Sequence, residues 1–390
     1  MSIAPFTYAG TTRIVFGANR VEQVGDDIVG LAGERARVLV VTDSGVVRAG
    51  LAARAMAALK RAGHEASLFD QVRPEPTIAS IDAAAAQARR CAAVIGLGGG
   101  SSMDVAKLAA AVAGAGEPAA HYALCANPLP GRHPALVLVP TTAGTGSETT
   151  RTAVFAAESG RKQWAWGDEL RASVALLDPG LTVGLPAPVT AATGVDALVH
   201  AIEACTVKGT HPVAEAYGLQ AIRLVAANLE RAVRRPDDLD ARGAMQIAAA
   251  LAGMAIDEAG TGIAHALGHA LGSFAHVHHG RAVGLGLRVA LPGNAAAAPA
   301  VHAGVARAFG LDGKDDAALA ARLPAAYADL LRRVGLSPSL ADLGMKPTEA
   351  PRLAEAAAWP ENQPMLARNA RALEPADVEA LARDLLAGEA

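Results

Sequence analysis

AAVIGLGGGSSMDVAKLAAAVA, residues 92–113, decides how this chain is read. The apolar run 92–97, bounded by glycine, has the length and composition of a buried strand. It enters three consecutive glycines and leaves them as an alanine-rich helical segment. Gly98, Gly99 and Gly100 let the backbone turn tightly and approach a ligand closely. Ser101 and Ser102 are placed to cap the following helix, whose exposed N–H groups and dipole favour a pyrophosphate. The spacing is not G-x-G-x-x-G, so the usual dinucleotide fingerprint is absent and a structural turn remains the competing reading.

Working outward, the same strand–helix alternation recurs. Residues 37–43 (RVLVVTD), 64–70 (HEASLFD), 135–139 (ALVLV) and 174–177 read as further strands, with helices over 51–62 and 77–90. Alternation of this length predicts an α/β fold with a parallel, Rossmann-like sheet covered by helices on both faces. From Pro186 the strand signals stop, and alanine-rich helical windows follow at 187–206, 212–234, 238–257 and 315–335. Two domains are expected: an α/β domain over 1–185 and an all-helical domain over 186–390. Two features support a dinucleotide in the first. Asp43 ends a strand where an acid can accept hydrogen bonds from an adenosine ribose and repel a 2′-phosphate, favouring NAD over NADP. PTTAGTGSE, residues 140–148, is a second small, hydroxyl-rich loop after a strand, able to line a nicotinamide mononucleotide site.

Composition narrows the classes. With 52% hydrophobic and 19% charged residues the chain can bury a sizeable core. A formal charge of −3 without a basic run leaves no footprint for nucleic acid. No uninterrupted apolar stretch is long enough for a membrane span, and MSIAPFTYAGTTR lacks the layout of a secretory signal. Cys91, Cys125 and Cys205 are scattered and odd in number, as reduced cytoplasmic thiols are.

The helical half carries a second chemistry. Asp196 and His200 stand four apart in GVDALVHAIEAC, so one helical face presents both. Five of the eleven histidines crowd into residues 264–280: His265, His269, His276, His278 and His279. Asp196, His200, His265 and His279 are spaced like one site, and three imidazoles with a carboxylate suit a divalent transition metal such as iron or zinc. Not all five clustered histidines can reach one ion. His269, one turn after His265, is read as a proton relay or a support for the ligands, against helix packing as the alternative. His276 and His278 are expected to shape the loop.

In order and spacing, GGGSSMDVAK, PTTAGTGSE, Lys162, LLDPGLTVGLP (176–186), GVDALVHAIEAC and HALGHALG followed by HHG resemble the iron-containing (group III) alcohol dehydrogenase family over nearly the whole chain. The resemblance implies a dehydroquinate synthase-like architecture with a catalytic metal in the cleft between the domains. It implies Asp196, His200, His265 and His279 as ligands of Fe2+ or Zn2+. It also implies cofactor contacts from Asp43, Gly98, Gly99, Gly100, Ser101, Asp104, Thr141, Thr142, Lys162 and the segment from Leu181 to Leu185. The implied reaction is hydride transfer between C4 of NAD(H) and a small alcohol or aldehyde held at the metal. Composition and cysteine usage add the expectation of a cytoplasmic protein without membrane or nucleic-acid partners, and a homodimer is the default assembly. Three departures stand out. Glu75 sits in RPEPT where relatives usually place Asn. Aromatic residues are only 3%, so a less aromatic substrate pocket is expected. Arg151 follows GSETT, either as a clamp for an acidic substrate or as an ion-pair partner. The opening FTYAGTTRIVFGANR resembles the maleylacetate reductase branch, which typically replaces the ligand Asp by Asn and works without metal. Asp196 is retained here, which favours the metal-dependent reading over that branch, and the four-ligand set argues against a polyol dehydrogenase of the same superfamily.

Overall fold

A computed structural model describes the chain except residues 1–4, 11, 132–133, 158, 276, 341–342 and 389–390. The chain divides into two compact units, residues 10–184 and residues 185–390, the second taking in the stretch before residue 10. Residues 5–9, read above as part of the α/β domain, therefore belong with the helices. The reason is aromatic: the Phe6 ring stacks on His211 with centroids 4.3 Å apart, and the Tyr8 and Tyr217 hydroxyls are hydrogen-bonded at 2.9 Å.

In the α/β unit, β1 (Arg13–Phe16), β2 (Arg37–Asp43), β3 (Glu65–Val72), β4 (Ala93–Gly98), β5 (Ala135–Pro140) and β8 (Val174–Leu177) form one parallel sheet in the order β1-β8-β5-β4-β2-β3. Strand alternation splits their apolar residues between two faces. Val38, Val40, Ile95, Leu97, Val137 and Val139 fill one core, while Leu39, Val41, Val94, Leu136 and Leu138 fill the other. Each such side chain contributes roughly 1.5–3 kcal/mol on burial. From β2 the chain steps outward to β3, then crosses back to lay down β4 and continues to β5. The order thus reverses between β2 and β4, the place where open α/β sheets leave a crevice at the strand ends.

Three strands were not anticipated. One is β1, short and largely exposed at the sheet edge. The other two, β6 (Thr152–Ala156) and β7 (Lys162–Trp166), form an antiparallel hairpin, in register from Thr152 opposite Trp166 to Ala156 opposite Lys162. Its only local sign is the Ser-Gly pair before β7, where Gly160 has φ 79°. The hairpin packs Ala153, Phe155 and Ala165 into the second core.

The helical unit has no strand among the described residues. Its helix Ala187–Thr206 is buried at every position from Thr190 to Cys205, so it runs through the centre of the unit. Asp238 and Asp315 cap the helices Leu239–Ala259 and Asp316–Arg333 by accepting from the N–H groups of Ala241 (3.0 Å) and Ala318 (2.8 Å). No single described helix is long and apolar enough to cross a membrane. Leu239–Ala259 and Ile263–Ala275 reach that length only as a pair bent by 104°.

A buried polar knot fastens the hairpin to the helix that follows β4. Lys107 is fully buried on the helix Gly100–Val112, donating to Thr150 Oγ1 (3.0 Å) and the Thr152 carbonyl (2.7 Å), with Asp104 3.7 Å away. Lys107→Ala is expected to lower stability by about 3 kcal/mol or more, because it strands those acceptors in the interior. Urea unfolding measures this, and a loss below about 1 kcal/mol would show that the knot does not fasten the hairpin.

Candidate metal centre and dinucleotide loops

The expected dinucleotide residues converge at the strand ends flanking the reversal. Asp43 Oδ1 accepts from the N–H groups of Gly45 (2.8 Å) and Val46 (3.1 Å), capping the short helix Ser44–Arg48, and Oδ2 accepts from the Ser102 hydroxyl at 3.2 Å. Gly98 has φ 154°, and a Cβ there would lie 2.6 Å from Ser102 Oγ. A Cβ on Gly100 would lie 2.9 Å from Thr145, whereas one on Gly99 would meet only ordinary contacts at 3.6 Å. Glycine is therefore demanded at the first and third positions of the run. The serines do not cap the next helix, contrary to the expectation for Ser101 and Ser102. It begins at Gly100 with Gly99 as its N-cap and no side-chain cap bond, and Ser102 turns to Asp43 instead. That leaves the first-turn N–H groups uncovered by side chains, as an anion site requires.

The 140–148 loop lies alongside because β5 neighbours β4. Thr141 donates its N–H to the Gly98 carbonyl at 2.9 Å, and the half-buried Thr142 faces Gly99. Asp104 departs from the expectation. Its Oδ1 accepts from the Ser147 hydroxyl (2.6 Å) and its Oδ2 from the Val154 N–H (3.1 Å), while burial raises its carboxyl above the usual range. It ties the loop to β6 from the inner face of its helix. Leu181 also departs: its side chain is buried in the core with Val174 and Leu176, so only its backbone could meet a ligand. Leu185 is half-buried and opens the helical unit. Lys162 starts β7 with its ammonium 3.7 Å from the Glu75 carboxylate. Glu75 itself has φ 56°, a left-handed conformation that Asn adopts more readily than Glu, which explains the usual residue there physically. Arg151 is held by Asp168 at 3.1 Å and lies 4.7 Å over the Trp166 ring, so the ion-pair reading prevails over the substrate clamp.

In the helical unit, Asp196 and His200 come from Ala187–Thr206, His265 from Ile263–Ala275 and His279 from the first position of His279–Ala297. One ligand-type atom from each lies within 4.8 Å of the others. His200 Nε2 and His279 Nε2 stand 3.8 and 3.7 Å from Asp196 Oδ1, and the His200 and His265 rings stack at 4.6 Å. Asp196, His200 and His265 are buried, while His279 is about 30% exposed and so is the accessible member. Asp196 Oδ1 and His265 Nε2 are buried without a hydrogen-bond partner. Orphans of this kind cost on the order of 1–3 kcal/mol each, so a cation among them fits the donor set.

Gly280 is what lets His279 arrive. A Cβ there would sit 2.0 Å from the Ala192 carbonyl oxygen, so the two helices touch backbone to backbone beside Asp196. His269 is buried next to the cluster, its ring 5.6 Å from that of His279, with Nδ1 3.2 Å from Asn362 Oδ1. It is not among the four grouped residues. His278 is exposed, and His276 lies outside the described residues. One residue went unread: Glu203, whose carboxylate meets His265 Nδ1 at 2.5 Å. Its signal was the spacing, three after His200 and seven after Asp196, on the same helical face.

Comparison with known proteins agrees with both halves. The family profile described as iron-containing alcohol dehydrogenase matches residues 11–179, and that of the Fe-containing alcohol dehydrogenase family, C-terminal, matches residues 190–386. The 1,3-propanediol dehydrogenase of Klebsiella pneumoniae is 36% identical over 361 residues, covering 90% of this chain and 91% of that protein. The choline dehydrogenase of Bacillus subtilis (strain 168) is 36% identical over 311 residues, covering 78% and 77%. The crystal structure of sulfoacetaldehyde reductase from Bifidobacterium kashiwanohense in complex with NAD+ superposes with a TM-score of 0.88 at 31% identity, covering 98% of this chain and 99% of that one.

Two outcomes follow from this geometry. Gly280→Ala should cut zinc uptake at least tenfold, because the helices must part at Ala192 and carry His279 away from Asp196; unchanged uptake in a chelator competition would refute the close-contact argument. The second concerns Glu148, whose carboxyl burial pushes up to about 7 from 4.5. Its protonated form is favoured by folding, so that stability is present below pH 4.5 and is lost as pH rises through about 7. The loss amounts to about 3 kcal/mol. Glu148→Gln should remove this slope, gaining stability at pH 8 relative to wild type and little at pH 5, as urea unfolding at both values would show.

Proposed function

This chain belongs to the iron-containing alcohol dehydrogenase family, and we propose that it is an NAD(H)-linked, metal-dependent alcohol dehydrogenase that also runs in reverse as an aldehyde reductase. It is an oxidoreductase of that family. The observation that carries the metal dependence is the buried cluster of Asp196, His200, His265 and His279 with its orphaned Asp196 Oδ1 and His265 Nε2. When bound, a divalent cation supplies Lewis acidity to an alcohol or carbonyl oxygen, and a nicotinamide takes or gives the hydride. Fe2+ or Zn2+ suits three imidazoles and one carboxylate.

The chain's own residues supply the rest. Gly98, Gly99, Gly100 and the open N–H group of Ser101 cradle a pyrophosphate at the helix start. Asp43, at the end of β2, disfavours a 2′-phosphate and so favours NAD over NADP. Thr141, Thr142 and Lys162 serve the nicotinamide end, and the backbone at Leu181 and at Leu185 supplies further contacts in this reading; Asp104 supports the 140–148 loop through Ser147. His269, whose Nδ1 lies 3.2 Å from Asn362 Oδ1 beside the cluster, is assigned the proton relay in this reading, with helix packing as its alternative. The relatives named for 1,3-propanediol, choline and sulfoacetaldehyde support a small alcohol or aldehyde as substrate. A cytoplasmic homodimer completes the reading. It is supported by three free cysteines and by edge strand β1, which exposes Ile14 and Phe16.

The test is NADH oxidation with a panel of small aldehydes, on protein split into Fe(II)-loaded and chelator-stripped halves. Turnover confined to the loaded half is expected, and Asp196→Ala should lose both bound metal and at least a hundredfold in rate. Equal turnover in both halves would discard the metal-dependent reading.

A further inference from the structure

We propose that Glu203 is a positioning residue of the metal centre, holding the His265 ring in the tautomer that can bind a cation. The inference rests on the metal reading of the cluster. Glu203 is buried on the central helix Ala187–Thr206, one turn beyond His200. Its Oε1 accepts the Ala264 N–H at 2.9 Å, and its Oε2 lies 2.5 Å from His265 Nδ1. A carboxylate can only accept, so the ring proton sits on Nδ1 and the lone pair on Nε2. Nε2 is the nitrogen that is buried without a protein partner, and it is thereby the ligand atom.

The placement is built in from two sides. Ala264 lies in the first turn of Ile263–Ala275, where the N–H groups have no acceptor within the helix and the helix dipole favours a negative charge. Gly262 leaves the space: a Cβ there would come within 2.9 Å of Glu203 Oε1 and 3.2 Å of Asn369 Oδ1. One carboxylate thus closes a helix end and orients a ligand of that same helix. The two tasks are separable by chemistry. In Glu203→Gln the amide oxygen can still accept from Ala264, but the NH2 group then faces Nδ1 and donates to it. That moves the ring proton to Nε2 and blocks the ligand atom. The opposite amide orientation sets two donors against each other at Ala264.

Two measurements test this. In metal-free protein with nitrogen-labelled histidine, NMR should show His265 protonated at Nδ1, the signal being assigned by its loss in His265→Ala. Competition with a chromophoric chelator should show zinc affinity falling 10- to 100-fold in Glu203→Gln, while its metal-free Tm stays close to wild type. Wild-type His265 protonated at Nε2 would overturn the proposal whatever the variant does. So would a variant that keeps both the tautomer and the zinc affinity. Wild-type protein that takes up no zinc at all would instead overturn the metal reading, and this proposal with it.

Discussion

A carboxylate oxygen buried without a proton donor is the constraint on which the helical unit depends. Asp196 Oδ1 has no hydrogen-bond partner, and the same is true of His265 Nε2. A buried carboxylate oxygen that accepts no hydrogen bond is among the costliest features a fold can carry. Yet the surrounding helices are organised to create it: Gly280 permits backbone contact at Ala192, and the central helix brings Asp196 and His200 to the same place. The arrangement is intelligible when a cation offsets the burial, so that folding and metal affinity are coupled. Glu203 extends the same logic outward, its carboxylate meeting both the Ala264 N–H and His265 Nδ1.

The α/β unit solves a different problem with the opposite economy. There the polar groups of the strand ends are satisfied internally: Asp43 by two backbone N–H groups and the Ser102 hydroxyl, Asp104 by Ser147 and Val154. What stays available is backbone, above all the helix start at Gly100, with glycine demanded wherever Ser102 or Thr145 comes close. Because the strand order reverses between β2 and β4, these groups stand where no crossover helix covers the strand ends. A pyrophosphate needs that combination of close approach and positive potential.

Much of this was legible from residue order. The runs 37–43 and 92–97 became β2 and β4 nearly residue for residue, since strands buried on both faces are continuous apolar runs bounded by turns. The helical windows 187–206 and 212–234 matched their helices, because proline and polar residues punctuate them. The hairpin of β6 and β7 was not legible. Its strands are short and partly buried, and the Ser-Gly pair before β7 is too weak a turn signal to announce their pairing. Among site residues, Asp196 and His200 announced their shared face by spacing. Leu181 carried no sign that its side chain would enter the core.

By itself, then, the sequence determined the element types, the parallel sheet, the change to helices at Pro186 and the set of donor atoms capable of holding a metal. These follow from periodicity and from donor chemistry, which are local. Only the tertiary structure decided which groups meet: that Ser102 serves Asp43 instead of a helix cap, that Arg151 is held by Asp168, and that Glu203 meets His265 across a stretch of 62 residues. Contacts of that kind depend on how helices and strands pack, and close packing is set by the shapes of many side chains at once.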